Sequence, residues 1–232
     1  MGNFTSAVIV AAGNSTRMGL SVPKHFLPLE DNLAIEYTLS AFQFCSIIDE
    51  IIVVCRKADF DQMSEICEGY TKVKKVVLGG DNRTESVKNG VNATSEETKF
   101  VAIHDGARIL VTDEEIKDVV KRAYACKAAT LGTHVTDTIK TVAKNMTVVD
   151  TPDRSRLFAV QTPQVFEKSL YLRALKNTLD NSLSVTDDCS MVEMLGEKVE
   201  VVLGKSTNIK LTTQSDITLA LAILSKRKMG LL

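Results

Sequence analysis

Short, mostly apolar runs alternate along this chain with segments of helical spacing. The apolar runs, rich in Val and Ile, cover residues 7–12, 51–55, 75–78 and 100–103. Continuous apolar runs of this length are typical of parallel strands that are buried on both faces. The segments between and after them, which we predict as helices, cover about 34–45, 58–69, 82–93 and 113–126. This alternation predicts an α/β fold with a doubly wound, mostly parallel sheet.

One segment breaks the alternation and suggests an excursion from a single domain. The chain has 232 residues, which fits one large domain spanning 1–232. From Val135 to Asp153, two β-prone runs flank Lys144-Asn145, which predicts a projecting β-hairpin arm that docks on a partner subunit. Beyond the arm we predict further elements, namely helices near 166–179, 187–195 and 213–226 and strands near 198–203 and 207–211.

Composition excludes several classes of protein. The 28 basic and 29 acidic residues give a net charge of -1, which argues against a dedicated nucleic-acid or membrane-surface binder. The five cysteines are widely spaced without a C-x-x-C pair, so neither a disulfide framework nor a zinc ribbon is indicated. The first residues lack a basic leader segment, and no apolar run approaches the roughly 18 residues of a membrane-spanning helix. We therefore expect a cytoplasmic protein.

The loop after the first predicted strand carries the first candidate site. It contains Gly13, Arg17, Gly19 and Lys24 but matches neither the dinucleotide-binding nor the P-loop spacing. A loop of about 20 residues inside a compact domain is usually functional. Its glycines allow backbone N–H groups to approach a phosphate chain, and its two cations add fixed positive charge. The alternative is a surface loop with two solvated cations.

A second glycine-led turn follows the third predicted strand. Gly79 and Gly80 lead into a helix that begins near Asn82, so Arg83 and Ser86 lie in its first turn. Backbone donors at a helix N-terminus favour an anion. The alternative is a plain strand-to-helix turn whose glycines merely allow positive φ.

Asp105 stands at the end of the fourth predicted strand. A carboxylate beside a phosphate loop is a plausible Mg²⁺ ligand, since Mg²⁺ takes only one or two protein carboxylates and shares its remaining positions with phosphates and water. The alternative is an Asp105 that caps the turn and pairs with Arg108. We interpret the neighbouring His104 as a packing residue rather than a catalyst.

Six motifs in one order make the chain resemble a known family. They are Ala-Ala-Gly-x-x-x-Arg-Met-Gly with Pro23-Lys24, Gly79-Gly80-Asp81-x-Arg83-x-x-Ser86, His104-Asp105-x-Ala-Arg108, Gln161-Thr-Pro-Gln164-x-Phe166, Thr186-Asp187-Asp188 and Asn208-Ile-Lys210. Together they resemble the 2-C-methyl-D-erythritol 4-phosphate cytidylyltransferases from residue 7 to about 224. The resemblance implies a Rossmann-like fold, a homodimer joined by the arm at 137–155, and CTP and Mg²⁺ at the site.

The resemblance also assigns roles to individual residues. The residues it implies for catalysis are Arg17, Lys24 and Lys210, and it implies Asp105 for the metal. The residues it implies for nucleotide binding are Ala11, Ala12, Gly13, Gly80, Asp81, Arg83, Ser86 and Ala107. It implies that Thr138, Arg154 and Arg108 bind the acceptor substrate, with the arm residues acting in the neighbouring subunit's site.

The function implied is transfer of CMP from CTP to 2-C-methyl-D-erythritol 4-phosphate, with release of pyrophosphate, in isoprenoid precursor synthesis by the non-mevalonate pathway. Three alternatives remain open at this stage: a ribitol-5-phosphate cytidylyltransferase, a sugar-1-phosphate nucleotidyltransferase and a nucleotide-binding regulator without catalysis. The chain also departs from the family pattern at Ser15, where glycine is frequent, and at Ile109, where proline is usual. We expect altered stiffness of the first loop and a less rigid turn at Arg108.

Overall fold

The computed structural model describes residues 2–13 and 22–232. The strands in this part of the chain are β1 (Thr5–Ala11), β2 (Pro28–Leu29), β3 (Asn32–Leu33), β4 (Glu50–Cys55), β5 (Val73–Leu78), β6 (Phe100–Asp105), β7 (Ala128–His134), β8 (Thr141–Val142), β9 (Val148–Asp150), β10 (Phe158–Glu167) and β11 (Glu200–Leu203). The helices are α1 (Ala34–Phe44), α2 (Phe60–Cys67), α3 (Arg83–Ala93), α4 (Asp113–Cys126), α5 (Lys168–Asp180), α6 (Asp188–Glu193) and α7 (Gln214–Lys228).

Within these residues a central sheet has seven strands in the order β11-β7-β10-β6-β1-β4-β5. Strand β1 pairs in parallel with β4 and β6, β4 pairs in parallel with β5, and β7 pairs in parallel with β11. Strand β10 is antiparallel to both β6 and β7. The prediction of a doubly wound, mostly parallel α/β sheet is confirmed.

Helices cover both faces of this sheet, as the continuous apolar runs require. On β1, Ala7 and Ile9 belong to the core beneath α1, α2 and α4, whereas Val8 faces the core beneath α3, α5 and α6. Successive residues of a strand point to opposite faces, so a strand buried on both sides must be apolar at every position. The four predicted apolar runs correspond to β1, β4, β5 and β6, and the helices predicted between and after them are α1 to α4. Burial on both faces is wrong for β5, because it is the edge strand and its residues are only partly buried or exposed.

Two strands of the sheet were missed by the sequence pattern, and one predicted strand is absent. Strands β7 and β10 fall in segments for which the sequence pattern predicts no strand, and β10 delays the start of α5 to Lys168. The strand expected near 207–211 is wrong: these residues are outside any strand or helix, and Asn208 in this stretch is fully buried. The stretch is held by side-chain bonds instead of a ladder, since the Asn208 amide donates to the carbonyl of Thr162 at 3.1 Å.

The expected hairpin is present as β8 and β9, which pair antiparallel with each other outside the central sheet. Its residues are exposed to solvent, including the apolar side chains of Val142, Met146, Val148 and Val149. Neighbouring apolar side chains that are exposed to solvent are unusual on a folded monomer. A two-stranded ribbon is also only marginally stable in water by itself.

Helix α3 packs very closely on the sheet, and its first turn is capped by Asn82. A Cβ atom at Gly90 would lie 2.4 Å from Cγ1 of Val8 and 2.7 Å from Cγ2 of Val54, closer than packed atoms allow. The helix begins at Asn82, whose side chain accepts from the backbone N–H of Glu85 at 2.9 Å, as N-cap residues do. Arg83 and Ser86 are thereby held at the carboxyl edge of the sheet.

No helix in the described ranges, 2–13 and 22–232, is both long enough and apolar enough to cross a bilayer.

Candidate active site

The loops that follow β1, β5 and β6 enclose a cleft at the carboxyl edge of the sheet. In doubly wound sheets, ligands bind at this edge. The cleft has a volume of about 210 Å³. Its lining residues are Val10, Ala12, Gly13, Lys24, His25, Gly80, Asp81, Asn82, Arg83, Ser86, Asp105, Ala107 and Lys210. It therefore collects residues from four separate motifs of the sequence, and we call it the nucleotide cleft after the role that the resemblance implies.

A second cleft of about 510 Å³ lies beside the first, and we call it the acceptor cleft. Its polar lining comes from β10 and from the start of α6, including Gln161, Thr162, Gln164 and Asp187, together with Arg108. The side chains that line both clefts are Arg83, Asp105 and Lys210. Three charged side chains thus form the boundary between the two clefts.

These boundary residues form a compact set of charges. The Lys210 ammonium lies 2.6 Å from one carboxylate oxygen of Asp105, and Nε of Arg83 lies 3.5 Å from the other. Burial by itself would raise the pKa of Asp105, but the charges of Arg83 and Lys210 hold it well below its ordinary range. Asp105 is therefore an anion throughout the physiological pH range.

Arg83 also binds a second carboxylate. Its Nη1 donates to Oδ2 of Asp188 at 2.6 Å. Burial opposes the charge of this guanidinium, but Asp188 and Asp105 together raise the pKa of Arg83 above its ordinary value. The boundary and its supporting acid thus contain two cations and two anions, a set with no net charge.

The second glycine-led turn is closed onto the start of α3. The backbone N–H of Gly80 donates to Oγ of Ser86 at 3.1 Å, and that hydroxyl donates to the carbonyl of Asn82 at 2.9 Å. The Glu85 carboxylate accepts from the backbone N–H of Asp81 at 2.8 Å. A Cβ atom at Gly80 would meet Cβ of Glu85 at 2.4 Å, so this turn requires glycine because of the close approach. Gly80, Asp81 and Ser86 consequently line the nucleotide cleft together.

Lys24 enters the same cleft from a short 3-10 turn, Lys24–Phe26, that follows the first loop. Its Nζ donates to the carbonyl of Leu211 at 3.3 Å, one residue beyond Lys210. Two lysines that are far apart in the sequence therefore approach the nucleotide cleft from one side. Of the remaining predicted residues, Ala11 ends β1, Ala107 lines the cleft, and Arg17, with Ser15 and Gly19, lies outside the described residues.

Arg108 lines the acceptor cleft, where its Nη1 donates to the carbonyl of Asn208 at 2.8 Å. Burial lowers the pKa of Arg108 below its ordinary value, while Asp105 acts in the opposite direction. The proline that is usual at the next position is replaced by Ile109, whose side chain is buried in an apolar cluster with Leu110 and Leu211. Apolar packing thus anchors this turn.

The contacts at the end of β6 show which groups Asp105 and His104 touch. The Asp105 carboxylate pairs with Lys210 and Arg83, and Arg108 contacts Asp105 through its backbone N–H, which donates to the carbonyl at 2.9 Å. His104 is fully buried against Phe42, with ring centroids 4.9 Å apart, and its ring nitrogens lie 3.0 Å from Oγ1 of Thr162 and 3.1 Å from the carbonyl of Arg108. It is a packing residue, as we predicted.

Two predicted substrate residues lie away from both clefts of their own chain. Thr138 and Arg154 are exposed near the two ends of the hairpin arm and line neither cleft. Nη1 of Arg154 donates to the carbonyl of Thr136 at 2.6 Å, which holds the side chain along the arm.

The residues at the boundary fit a Mg²⁺ ion that shares its coordination with a nucleotide. In the described part of the chain, no group of three or more His, Cys, Asp or Glu side chains could hold a metal by itself. A site of one carboxylate and several phosphate oxygens does not require such a group. Asp105 is the carboxylate at this boundary that could hold such an ion, and the Lys210 ammonium that contacts it would have to give way to a bound cation.

Several residues at the site had no assigned role in the sequence analysis. Asp188 is fully buried and binds both Arg83 and the hydroxyl of Tyr171. Asn208 joins the loop that carries Lys210 to β10 through the carbonyl of Thr162. Both residues belong to motifs that carried the family resemblance, but only the fold reveals what their side chains contact.

Comparison with known proteins finds relatives over nearly the whole length of the chain. The family model described as "IspD: 2-C-methyl-D-erythritol 4-phosphate cytidylyltransferase" matches residues 5–226. A protein of that name from Caldanaerobacter subterraneus subsp. tengcongensis is 44% identical over 224 residues, which cover 95% of this chain and 99% of the relative. One from Alkaliphilus metalliredigens is 41% identical over 232 residues, covering 97% and 95%.

Solved structures agree with these sequence relatives. The crystal structure of 4-diphosphocytidyl-2C-methyl-D-erythritol synthase from Anaerococcus prevotii superposes with a TM-score of 0.87 at 34% identity and covers 96% of each chain. The 2-C-methyl-D-erythritol 4-phosphate cytidylyltransferase from Thermus thermophilus gives a TM-score of 0.78 at 28% identity, covering 94% of this chain and 98% of that one. The similarity therefore extends over nearly the whole length of both chains.

Proposed function

This chain belongs to the 2-C-methyl-D-erythritol 4-phosphate cytidylyltransferase family, and from that membership we propose how its two clefts act. The enzyme transfers CMP from CTP to 2-C-methyl-D-erythritol 4-phosphate and releases pyrophosphate, a step of isoprenoid precursor synthesis by the non-mevalonate pathway. CTP binds in the nucleotide cleft and the acceptor phosphate binds in the acceptor cleft. The observation that carries this proposal is the boundary of Arg83, Asp105 and Lys210, which both clefts share.

The chemistry requires charge neutralisation more than proton transfer. A phosphate oxygen of the acceptor attacks the α-phosphorus of CTP, the new P–O bond forms, and the bond to the β-phosphate breaks as pyrophosphate leaves. A phosphate monoester is already anionic at pH 7, so no general base is needed. Catalysis then rests on holding two polyanions in line and stabilising the charge that develops.

The residues divide this work according to their position. Gly80, Asp81 and Ser86, with the backbone of residues 11–13, hold the base and ribose end of CTP. Lys24 and Arg17 neutralise the triphosphate, and Lys210 moves from Asp105 to the phosphates when CTP binds. Asp105 would hold a Mg²⁺ ion, which would supply further charge neutralisation at the phosphates. Arg108 faces the acceptor.

We further propose that the enzyme is a homodimer in which the arm at 137–155 reaches the second copy. Two observations support this. The arm exposes Val142, Met146, Val148 and Val149 to solvent, and Thr138 and Arg154 line neither cleft of their own chain. In a two-fold dimer the same two residues can complete the acceptor cleft of the partner. The single-domain organisation and the cytoplasmic location expected from the sequence stay predictions.

The experiment that tests the acceptor assignment is a comparison of two polyol phosphates. Purified protein with CTP and Mg²⁺ is given 2-C-methyl-D-erythritol 4-phosphate or ribitol 5-phosphate, and pyrophosphate release is followed with ³¹P detection of the diphosphate product. We expect a much higher kcat/KM with the methylerythritol phosphate. A higher kcat/KM with ribitol phosphate would reverse the assignment, although the named relatives do not favour that outcome.

A further inference from the structure

Asp188 is a fully buried carboxylate next to the site, and each of its oxygens accepts one strong hydrogen bond. Oδ2 accepts from Nη1 of Arg83 at 2.6 Å, and Oδ1 accepts from the hydroxyl of Tyr171 at 2.7 Å. Tyr171 lies on α5 and is itself fully buried, in the core between this helix and the sheet. A buried carboxylate needs such partners because an unpaired charge away from water is costly.

The backbone of Asp188 is fixed as firmly as its side chain. Its N–H donates to Oε1 of Gln164 at 3.1 Å, and the amide of Gln164 donates to the Asp187 carboxylate at 2.8 Å. Asp187 is the N-cap of α6 and accepts from the N–H of Ser190 at 3.0 Å. The first turn of α6 is therefore bound to β10 at the centre of the sheet, and Asp188 projects from a rigid position.

Arg83 depends on this rigid group for its conformation. Its side chain is long and flexible, and it is one-third exposed at the boundary between the clefts. The bond to Asp188 is much shorter than the 3.5 Å contact with Asp105. Of the two carboxylates that contact Arg83, Asp188 therefore holds it more closely than Asp105 does.

We propose that Asp188, itself held by Tyr171, is the positioning residue that fixes Arg83 in the orientation that binds CTP. This inference rests on the proposed function, because it assumes that the nucleotide cleft binds CTP. It assigns the buried pair a role in nucleotide affinity. A purely structural pair would contribute to stability and leave the affinity of the folded protein unchanged.

The first test is the affinity for CTP in the absence of metal, measured by isothermal titration calorimetry, together with steady-state kinetics. We expect Asp188→Asn to weaken CTP binding by about tenfold, because a neutral amide oxygen is a weaker acceptor for the Arg83 guanidinium than a carboxylate is. KM for CTP should rise with it more than kcat falls. Tyr171→Phe should shift both quantities in the same direction by a smaller factor, and it carries the test if Asp188→Asn does not fold.

Two matched controls separate this effect from a general loss of stability. Glu50→Gln neutralises another buried carboxylate, which lies at the opposite edge of the sheet and accepts from Oγ of Ser6 at 2.6 Å. Tyr124→Phe removes another hydroxyl, which lies 2.6 Å from Oγ1 of Thr5. Both variants should lower the melting temperature and leave KM for CTP at the wild-type value.

A double-mutant cycle decides whether Asp188 acts through Arg83. If it does, Arg83→Met with Asp188→Asn should bind CTP no more weakly than Arg83→Met alone, because the group that Asp188 positions is already absent. Losses that multiply in the double variant would overturn the proposal, and so would wild-type affinity in Asp188→Asn. A wild-type protein that neither binds CTP nor releases pyrophosphate would overturn the proposed function as well, so the two failures are distinguishable.

Discussion

The Lys210 ammonium contacts the Asp105 carboxylate at 2.6 Å, directly between the two clefts. This lysine occupies the position that the proposed cation needs. The two residues come from different parts of the chain, since Asp105 ends β6 and Lys210 lies seven residues after the end of β11. In the proposed mechanism the ion pair would therefore couple two events: binding of a cation to Asp105 and release of Lys210 towards the phosphates.

This coupling predicts that Lys210→Gln binds a divalent cation more tightly while it loses activity. Removal of the competing ammonium should improve Mn²⁺ affinity without nucleotide by roughly two- to fivefold, since a partly exposed ion pair is worth about 1 kcal/mol or less. Electron paramagnetic resonance of free Mn²⁺ measures this directly. Lys205→Gln is the matched control, because Lys205 lies on the same loop and pairs with Glu114 at 2.8 Å. Weaker Mn²⁺ binding in Lys210→Gln would contradict the coupling.

A second metal titration, read out by enzyme activity, tests Asp105 as the metal ligand. Asp105→Asn should move the Mg²⁺ dependence of pyrophosphate release to higher concentration, because an amide oxygen carries no charge for the ion. An unchanged titration would remove Asp105 from the metal site.

Lys24→Ala should lower kcat by about 10²–10³, the scale of removing one preorganised group that stabilises charge. Lys24 lines the nucleotide cleft, and its Nζ donates to the carbonyl of Leu211 at 3.3 Å. Single-turnover kinetics at saturating CTP separate the chemical step from binding. A fall confined to CTP affinity would make Lys24 a binding residue only.

The apolar strands of the fold could be predicted from the sequence because they are buried on both faces. Strands β1, β4 and β6 are continuous runs whose burial follows from composition alone. Strand β10 was missed because it contains Pro163, which argues against a central strand, and because its register shifts between Val160 and Gln164. Its buried polar residues, such as Gln161 and Thr162, are satisfied by partners more than 40 residues away.

Part of the candidate site could likewise be predicted from the sequence, and part could not. The glycine turns, Arg83 and Asp105 follow strands that could be identified, so their meeting at one edge of the sheet could be expected. The role of Asp188 could not, because a carboxylate in the first turn of a helix is usually exposed and favoured there by the helix dipole. Only the packing of α6 against α5 and β10 buries it beside Arg83.

Buried histidines predict a loss of stability in mild acid. Burial lowers the pKa of His104 to about 4 and, with help from Lys24, that of His25 to about 3. An unfolded histidine titrates near 6.5, so the unfolded chain takes up these protons first. The contribution of the neutral buried histidines to the free energy of unfolding is fully present above about pH 6.5. It falls as the pH drops towards 4, by up to about 1.4 kcal/mol per pH unit for each histidine.

Urea unfolding at pH 7, 6 and 5 measures this slope. His104→Gln should flatten it, because glutamine keeps one donor and one acceptor but binds no proton. His134→Gln, which removes an exposed histidine, is the matched control. Equal slopes for wild type and His104→Gln would exclude His104 as a source of the acid sensitivity.

The dimer proposal makes the most demanding prediction, since it assigns Lys24 and Arg154 of one site to different chains. Lys24→Ala and Arg154→Ala should each be nearly inactive as homodimers. When the two variants are unfolded and refolded together in equal amounts, about half of the dimers should contain one copy of each if assembly is random. The fraction of mixed dimers is measured by native mass spectrometry with one variant isotope-labelled.

In each mixed dimer, one site carries both substitutions and the other carries neither, because each site takes Lys24 from one chain and Arg154 from its partner. About a quarter of all sites should therefore regain wild-type activity, a statistical consequence of the two-fold arrangement. If Arg154 served the site of its own chain, every site in the mixture would retain one lesion and no activity would return. Recovery near zero with mixed dimers present would thus refute the shared site, even for a protein that is dimeric in solution.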